Sequence, residues 1–278
     1  MQVKQIHPWF RNSFHLGSLL SLVAGIQLFI FSEQTDIYFA WTIQSSLTAA
    51  TLGGFYFGTM VFGYLAACQA DWARVRGPAV GLLVFMFVTL AATLLHLDKF
   101  HLASQNWLTR NATWSWLAIY VLFPFELVAA VWLQQRLPGV DSERRASLPA
   151  WFRAVLTMHG VVGIVTGLGL FFMPQALIPF WPWALTPLTA RALSAWFLSF
   201  GALNLQSVWE NDWSRVRVLS ISYIVSGSFA LAAFLRYASQ ADLLSSGGVG
   251  YLIHLLVLLG MGVYGWLQNR MVKGSAKP

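Results

Sequence analysis

The sequence predicts an all-α polytopic membrane protein of eight transmembrane helices, built as two tandem four-helix units of the same orientation. Three observations predict it. The chain is apolar throughout, its Lys and Arg fall on alternate loops, and a six-residue phrase occurs twice. Of 278 residues, 57% are hydrophobic and 10% are charged. Soluble domains carry about 25% charged residues. So few charges spread over so many apolar runs make lipid the main solvent.

A bilayer core about 30 Å thick needs about 20 mostly apolar residues per helix. Eight stretches meet this length: 13–31, 47–69, 79–97, 114–134, 152–173, 190–209, 217–237 and 249–268. Glycines inside them let helices approach closely, so Gly58 with Gly63, and Gly163 with Gly167, read as helix contact faces. The first stretch lacks a small-x-small cleavage site after Phe31 and reads as a span, not a signal peptide. Thr186 and Pro187 read as cap and first turn of a helix, and Ser45-Ser46 stands in that place earlier in the chain.

Orientation follows from charge. With a cytoplasmic N-terminus, 13 of the 17 Lys and Arg lie on the inner side. Lys99, Arg110, Arg191 and Arg236 lie outside. This is the positive-inside pattern, and it puts both tails in the cytoplasm. The net charge of +7 therefore reflects membrane insertion and not a nucleic-acid face. The lone Cys68 excludes a disulfide framework or a cysteine metal site within the chain.

Asp71-Trp72-Ala73-Arg74-Val75-Arg76 returns 141 positions later as Asp212-Trp213-Ser214-Arg215-Val216-Arg217. Leu47-Thr48-Ala49 returns as Leu188-Thr189-Ala190 with the same offset. Trp9-Phe10-Arg11 and Trp41 return as Trp151-Phe152-Arg153 and Trp183 with offset 142. The expected units are residues 1–140 and 141–278, joined by the polar stretch 138–150. An even number of spans per unit implies an axis along the membrane normal, unlike an inverted repeat. Trp72 and Trp213 are expected to anchor at the lipid interface, with Arg74, Arg76, Arg215 and Arg217 facing anionic lipid or Asp71 and Asp212. The aromatics of the first outer loop of each unit, Trp41 and Trp183 among them, are expected at headgroup level.

Several phrases taken together resemble a group of bacterial multi-pass membrane proteins with no assigned activity. They are Tyr38-Phe39-Ala40-Trp41-Thr42-Ile43, Leu47-Thr48-Ala49-Ala50, Leu94-Leu95-His96-Leu97-Asp98-Lys99-Phe100-His101, the stretch from Trp181 to Trp196, and Glu210-Asn211-Asp212-Trp213. The resemblance implies a bacterial inner membrane and brings no site residues.

Glu126 is the most informative single residue. It falls about twelve residues into the fourth stretch, roughly 18 Å deep at 1.5 Å per residue. A carboxylate at that depth is expensive and reads as functional, beside a helix opened by Pro124. His96, Asp98 and His101 cluster outside, as a polar patch in preference to a metal site. Arg191 stands where the first unit has Ala50, and Asp98 or Asp36 could pair with it. His159 and His254 are intramembrane histidines, expected far apart in depth. Asn204 and Gln206 are expected to bond between helices. The chain has no Walker loop, nucleophile elbow or HExxH motif, so no catalytic constellation and no cofactor is implied.

Three functions follow from these residues. The first is a small secondary transporter or channel for a small polar or ionic substrate, with a site at the unit interface around Glu126. The second is a non-catalytic subunit of a membrane complex, packed against a membrane-protein partner or another copy of itself. The third, more distant, is a haem or redox protein using His254 and His96. The lipid bilayer is the expected partner in all three, and nucleic acid in none.

Overall fold

In the computed structural model, which describes residues 2–274 and the side chains as far as Val272, the chain forms long helices joined by short turns. Eight of these exceed one membrane-crossing turn set: α1 Pro8–Ile30, α2 Ser46–Ala67, α3 Arg76–Leu95, α4 Trp107–Arg136, α5 Ala150–Phe172, α6 Pro187–Glu210, α7 Trp213–Arg236 and α8 Ser246–Gly274. Seven are both long and apolar enough to cross a bilayer. The exception is α6, whose 24 residues suffice in length but include Arg191, Asn204, Gln206 and several serines. The helices that bound the expected spans at 114–134 and 249–268 start earlier, at Trp107 and Ser246. Asn106 caps α4 by accepting the Leu108 amide, and the polar first turns extend both helices beyond the apolar core.

The helices sort into an inner and an outer set. In α2, 67% of the span is buried, in α7 56% and in α3 50%, against 33% in α4, α5 and α8. The polar α6 belongs with the inner set, since most of its residues are buried. α2 packs along α7, and α3 along α6. Around this inner four, α1 lies on α2, α5 on α6, α4 on α3 and α8 on α7.

Small residues set the inner crossings. Ser222 on α7 donates to the Gly58 carbonyl on α2 at 2.9 Å. Ser199 on α6 donates to the Gly81 carbonyl on α3 at 2.8 Å. A Cβ at Gly58 would come within 1.7 Å of Ser226 Oγ. Gly63 instead faces α1, at Phe14 and Ser18, so Gly58 and Gly63 serve two different contacts. Gly163 and Gly167 both face α6.

The turns repeat their own bonds. The Trp72 amide donates to Lys4 O, and the Trp213 amide to Ala146 O, each at 3.0 Å. His101 N donates to Ala40 O at 3.1 Å, and Asp242 N to Pro182 O at 2.8 Å. Ser45 caps the Thr48 amide, and Thr186 caps the Thr189 amide within a full capping box. Asp71 and Asp212 each accept an amide two residues on.

Two expectations about tryptophan are corrected here. Trp72 and Trp213 are buried, at 8% and 3% exposure, and pack on Phe10 and Phe152. Trp41 and Trp183 are buried too. The chain around Lys4 and around Ala146 folds over the helix ends and covers the first pair, and the turns that hold Trp41 and Trp183 tuck the second pair between the helices. Trp183 donates to Thr48 Oγ1 across the two halves at 2.8 Å. None of the four is a lipid anchor.

Candidate functional site

Because α1 and α4 touch mainly towards one end, a space is left between them. Small residues make it: Gly17, Ser21 and Ala24 on α1, Ala112 and Ser115 on α4. The result is a cavity of about 360 Å³ with α2 and α3 as its back wall. Phe39, Phe85 and Trp116 supply aromatic faces. Tyr56 and Tyr120 share a hydrogen bond between their hydroxyls at 2.7 Å, and Trp116 Nε1 donates to Thr93 Oγ1 at 3.1 Å. Asn111, Gln27, Ser21, Ser115 and Thr59 add neutral polar groups. No charged side chain lines the cavity. Pockets of this size, apolar with a few convergent polar groups, are the usual form of small-molecule sites between bundle helices.

Glu126 lies elsewhere. α4 runs from Trp107 to Arg136, so Glu126 is ten residues from its C-terminal end, about 15 Å along the axis, and it meets the first turns of α1. Its Oε1 accepts from Trp9 Nε1 and, at 2.6 Å, from Ser13 Oγ. Its Oε2 is buried with no partner. It neither lines the cavity nor faces the junction between halves; it ties α4 to α1.

His159 and His254 are not far apart in depth, contrary to the sequence expectation. His159 and His254 meet: their rings stack 4.8 Å apart at 9°, and Nε2 of His159 lies 3.0 Å from Nδ1 of His254. His159 is nine residues into α5 and His254 eight into α8, and their contact brings the two positions to one level. Asn204 joins the chain, with Nδ2 2.8 Å from His159 Nδ1, and Tyr223 donates to Asn204 Oδ1 at 2.9 Å. These bonds fix neutral tautomers, with His159 donating from Nε2 and His254 left with an Nε2–H that has no partner. Asn204 thus bonds between helices as expected. Gln206 bonds within its own helix, to Glu210.

Arg191 pairs with neither Asp98 nor Asp36. Its Nη1 donates to His96 Nε2 at 2.7 Å and its Nε to Phe171 O at 3.0 Å. Burial and the Arg191 charge hold the His96 imidazole below its ordinary range, in keeping with an accepting, neutral ring. Asp98 is exposed and pairs with Lys99 at 2.8 Å, which holds its carboxyl low. His101 lies 3.0 Å from Thr42 Oγ1. No contact joins His96 to His254, and among the described residues no three His, Cys, Asp or Glu converge on a metal position.

The repeated phrase is a latch between halves. Arg76 donates from Nε and Nη2 to Glu210 at 2.8 and 3.0 Å, and Arg215 donates to the same carboxylate at 2.6 Å. Asp141 completes it, 2.9 Å from Arg76. Arg215 therefore serves Glu210 and not Asp212, while Arg74 keeps to Asp71 at 3.5 Å. Arg217 has no ion pair among the described residues. Neither expectation for the arginines anticipated Glu210, which is 2% exposed and shared by both units.

The residues missed by sequence reasoning are Tyr56, Trp116 and Tyr120. A signal for Tyr120 was present. Trp132-Leu133-Gln134-Gln135-Arg136 matches Trp266-Leu267-Gln268-Asn269-Arg270 with offset 134, and in both the Arg stacks over the Trp ring. That register puts Tyr120 opposite His254, while offset 142 puts Gly17 opposite His159. No family model matches the chain, and neither the curated proteins nor the solved structures include a significant match.

Proposed function

We propose that the chain is an eight-span protein of the bacterial inner membrane, made of two four-helix halves of one orientation with both tails cytoplasmic, and that it binds and carries a small neutral amphipathic molecule. The cavity between α1 and α4 carries this reading. Its aromatic walls suit an apolar body, and its hydroxyls and amides suit one or two polar groups. A charged substrate would be buried there without a counter-charge, which is costly. The substrate class is therefore neutral, and the site lies inside the first half, not at the interface around Glu126.

The duplication is supported by paired contacts at corresponding positions. The Ser222–Gly58 and Ser199–Gly81 bonds exchange serine for glycine across the two halves. The α2–α7 and α3–α6 packings are each other's counterpart under a twofold operation. α6 as an eighth span is supported by its length and by the shielding of its polar residues.

The test is retention of a ligand. Wild-type protein purified from its native membrane is compared by native mass spectrometry with Ser21→Phe, which fills the cavity. A bound small molecule present in the wild type and absent from a folded variant is expected, followed by its uptake into proteoliposomes. Identical spectra with no bound species would overturn the carrier reading and leave the structural-subunit reading in its place.

A further inference from the structure

A second concavity lies at the inner face, independent of the cavity between α1 and α4. It is an open hollow of about 770 Å³ bounded by Val3, Arg74, the linker 142–146 and Val272. Its walls are held by backbone bonds. Lys4 N donates to Val140 O at 2.9 Å, and Val140 N to Gln2 O at 3.1 Å, which joins the N-terminal segment to the linker. Asp212 accepts the amides of Arg145 and Ala146, and Arg215 donates to Ser142 O at 2.7 Å.

The charges inside are unbalanced. Arg74, Arg144 and Arg145 face one carboxylate, Glu143. The neighbouring inner carboxylates Glu210 and Asp141 are engaged by Arg76 and Arg215. Among the described residues no carboxylate comes within ion-pair distance of Arg144 or Arg145. Arg74 faces Asp71 through its Nε at 3.5 Å, an ion pair too long for a hydrogen bond, so its guanidinium keeps donors for a second anion.

We infer that this hollow binds a phosphate group, with Arg74, Arg144 and Arg145 as its donors. Three guanidinia suit a tetrahedral anion with several free oxygens, whereas a carboxylate occupies one fork. Two sources share this chemistry: the headgroup of an anionic phospholipid and a soluble phosphate compound. Val3 and Val272 at the edge give the first a place for its glycerol and first methylenes.

Purified protein in a neutral detergent separates the sources. Thermal unfolding and affinity are measured with dioctanoyl phosphatidylglycerol, with dioctanoyl phosphatidylcholine and with sodium pyrophosphate. Stabilisation by phosphatidylglycerol alone assigns a lipid headgroup, by pyrophosphate alone a soluble phosphate, and by both a site open to either. In each case Arg144→Gln/Arg145→Gln is expected to weaken binding by at least about tenfold. These side chains are exposed, so the variant should keep the unliganded melting temperature. Arg74→Gln tests the third donor, and Arg110→Gln on the other face should change nothing. No response to either phosphate compound, an equal response to phosphatidylcholine, or a double variant that binds like wild type overturns the assignment.

Discussion

At Asp212 one buried carboxylate gathers the Arg145 and Ala146 amides, the Ser214 amide and the Ser214 hydroxyl. Burial opposes its charge, but these donors outweigh burial and hold the carboxyl below its ordinary 3.8. The sign of the pH dependence follows. Above 3.8 the group is ionised folded and unfolded, and its contribution to stability is complete. As pH falls below 3.8, the unfolded chain takes up the proton first, so stability drops until the folded carboxyl is protonated as well. Asp212→Asn should cost about 2 kcal/mol at pH 7, the worth of a charge-assisted hydrogen bond, and should flatten the acid limb. Melting temperature measured from pH 7 down to pH 3 checks both. Equal acid limbs in wild type and variant would remove Asp212 as the pin of the linker.

At the scale of elements, glycine decides how close the inner helices stand. Gly58 has no space for a methyl group against α7, whereas Gly260 on α8 has nothing within 4 Å of a Cβ. Gly58→Ala should push α2 from α7, lengthen the Ser222–Gly58 bond and cost about 1–3 kcal/mol. Gly260→Ala should be neutral or slightly stabilising, since alanine is the better helix former. Unfolding of both variants in one detergent tests the contrast, and equal costs would contradict the packing. The positions of these helices were legible in the sequence because apolar runs report length directly. Their neighbours were not. Trp72 beside Asp71 and Arg74 has the composition of an interfacial belt, and only the fold of residues 2–7 over the helix ends buries it. Glu126 was legible as a residue inside the fourth span, but its partners Trp9 and Ser13 on α1 were not, because a contact between helices leaves no local pattern. The His159–His254 contact was not legible, because counting from the two apolar runs puts the residues on opposite sides of the midplane. A cavity is a lack of atoms, and no local pattern announces one; the small residues facing it on α1 and α4 are its only trace.

For the whole molecule, the question is the parity of crossings. Seven helices are long and apolar enough to cross a bilayer, and seven crossings would leave the tails on opposite faces. α6 makes the eighth only if the other helices shield its polar residues. The structure surrounds it with α3 and α5, buries Asn204, Ser194 and Ser199, and leaves Arg191 at its outer end bonded to His96. Such a helix should span in the full chain and insert poorly when isolated, because Asn and Arg then face lipid without partners. Reporter fusions at the two tails measure parity directly, with both expected in the cytoplasm. Single cysteines at Ser104 and Asp242, in a background lacking the exposed Cys68, should react with an impermeant reagent from outside. One at Ser142 should not. Tails on opposite faces, or labelling of Ser142→Cys from outside, would mean that α6 stays on one side. The α3–α6 packing, the latch at Glu210 and the matched halves would then all have to be rebuilt, since each requires α6 to run the full depth beside α3.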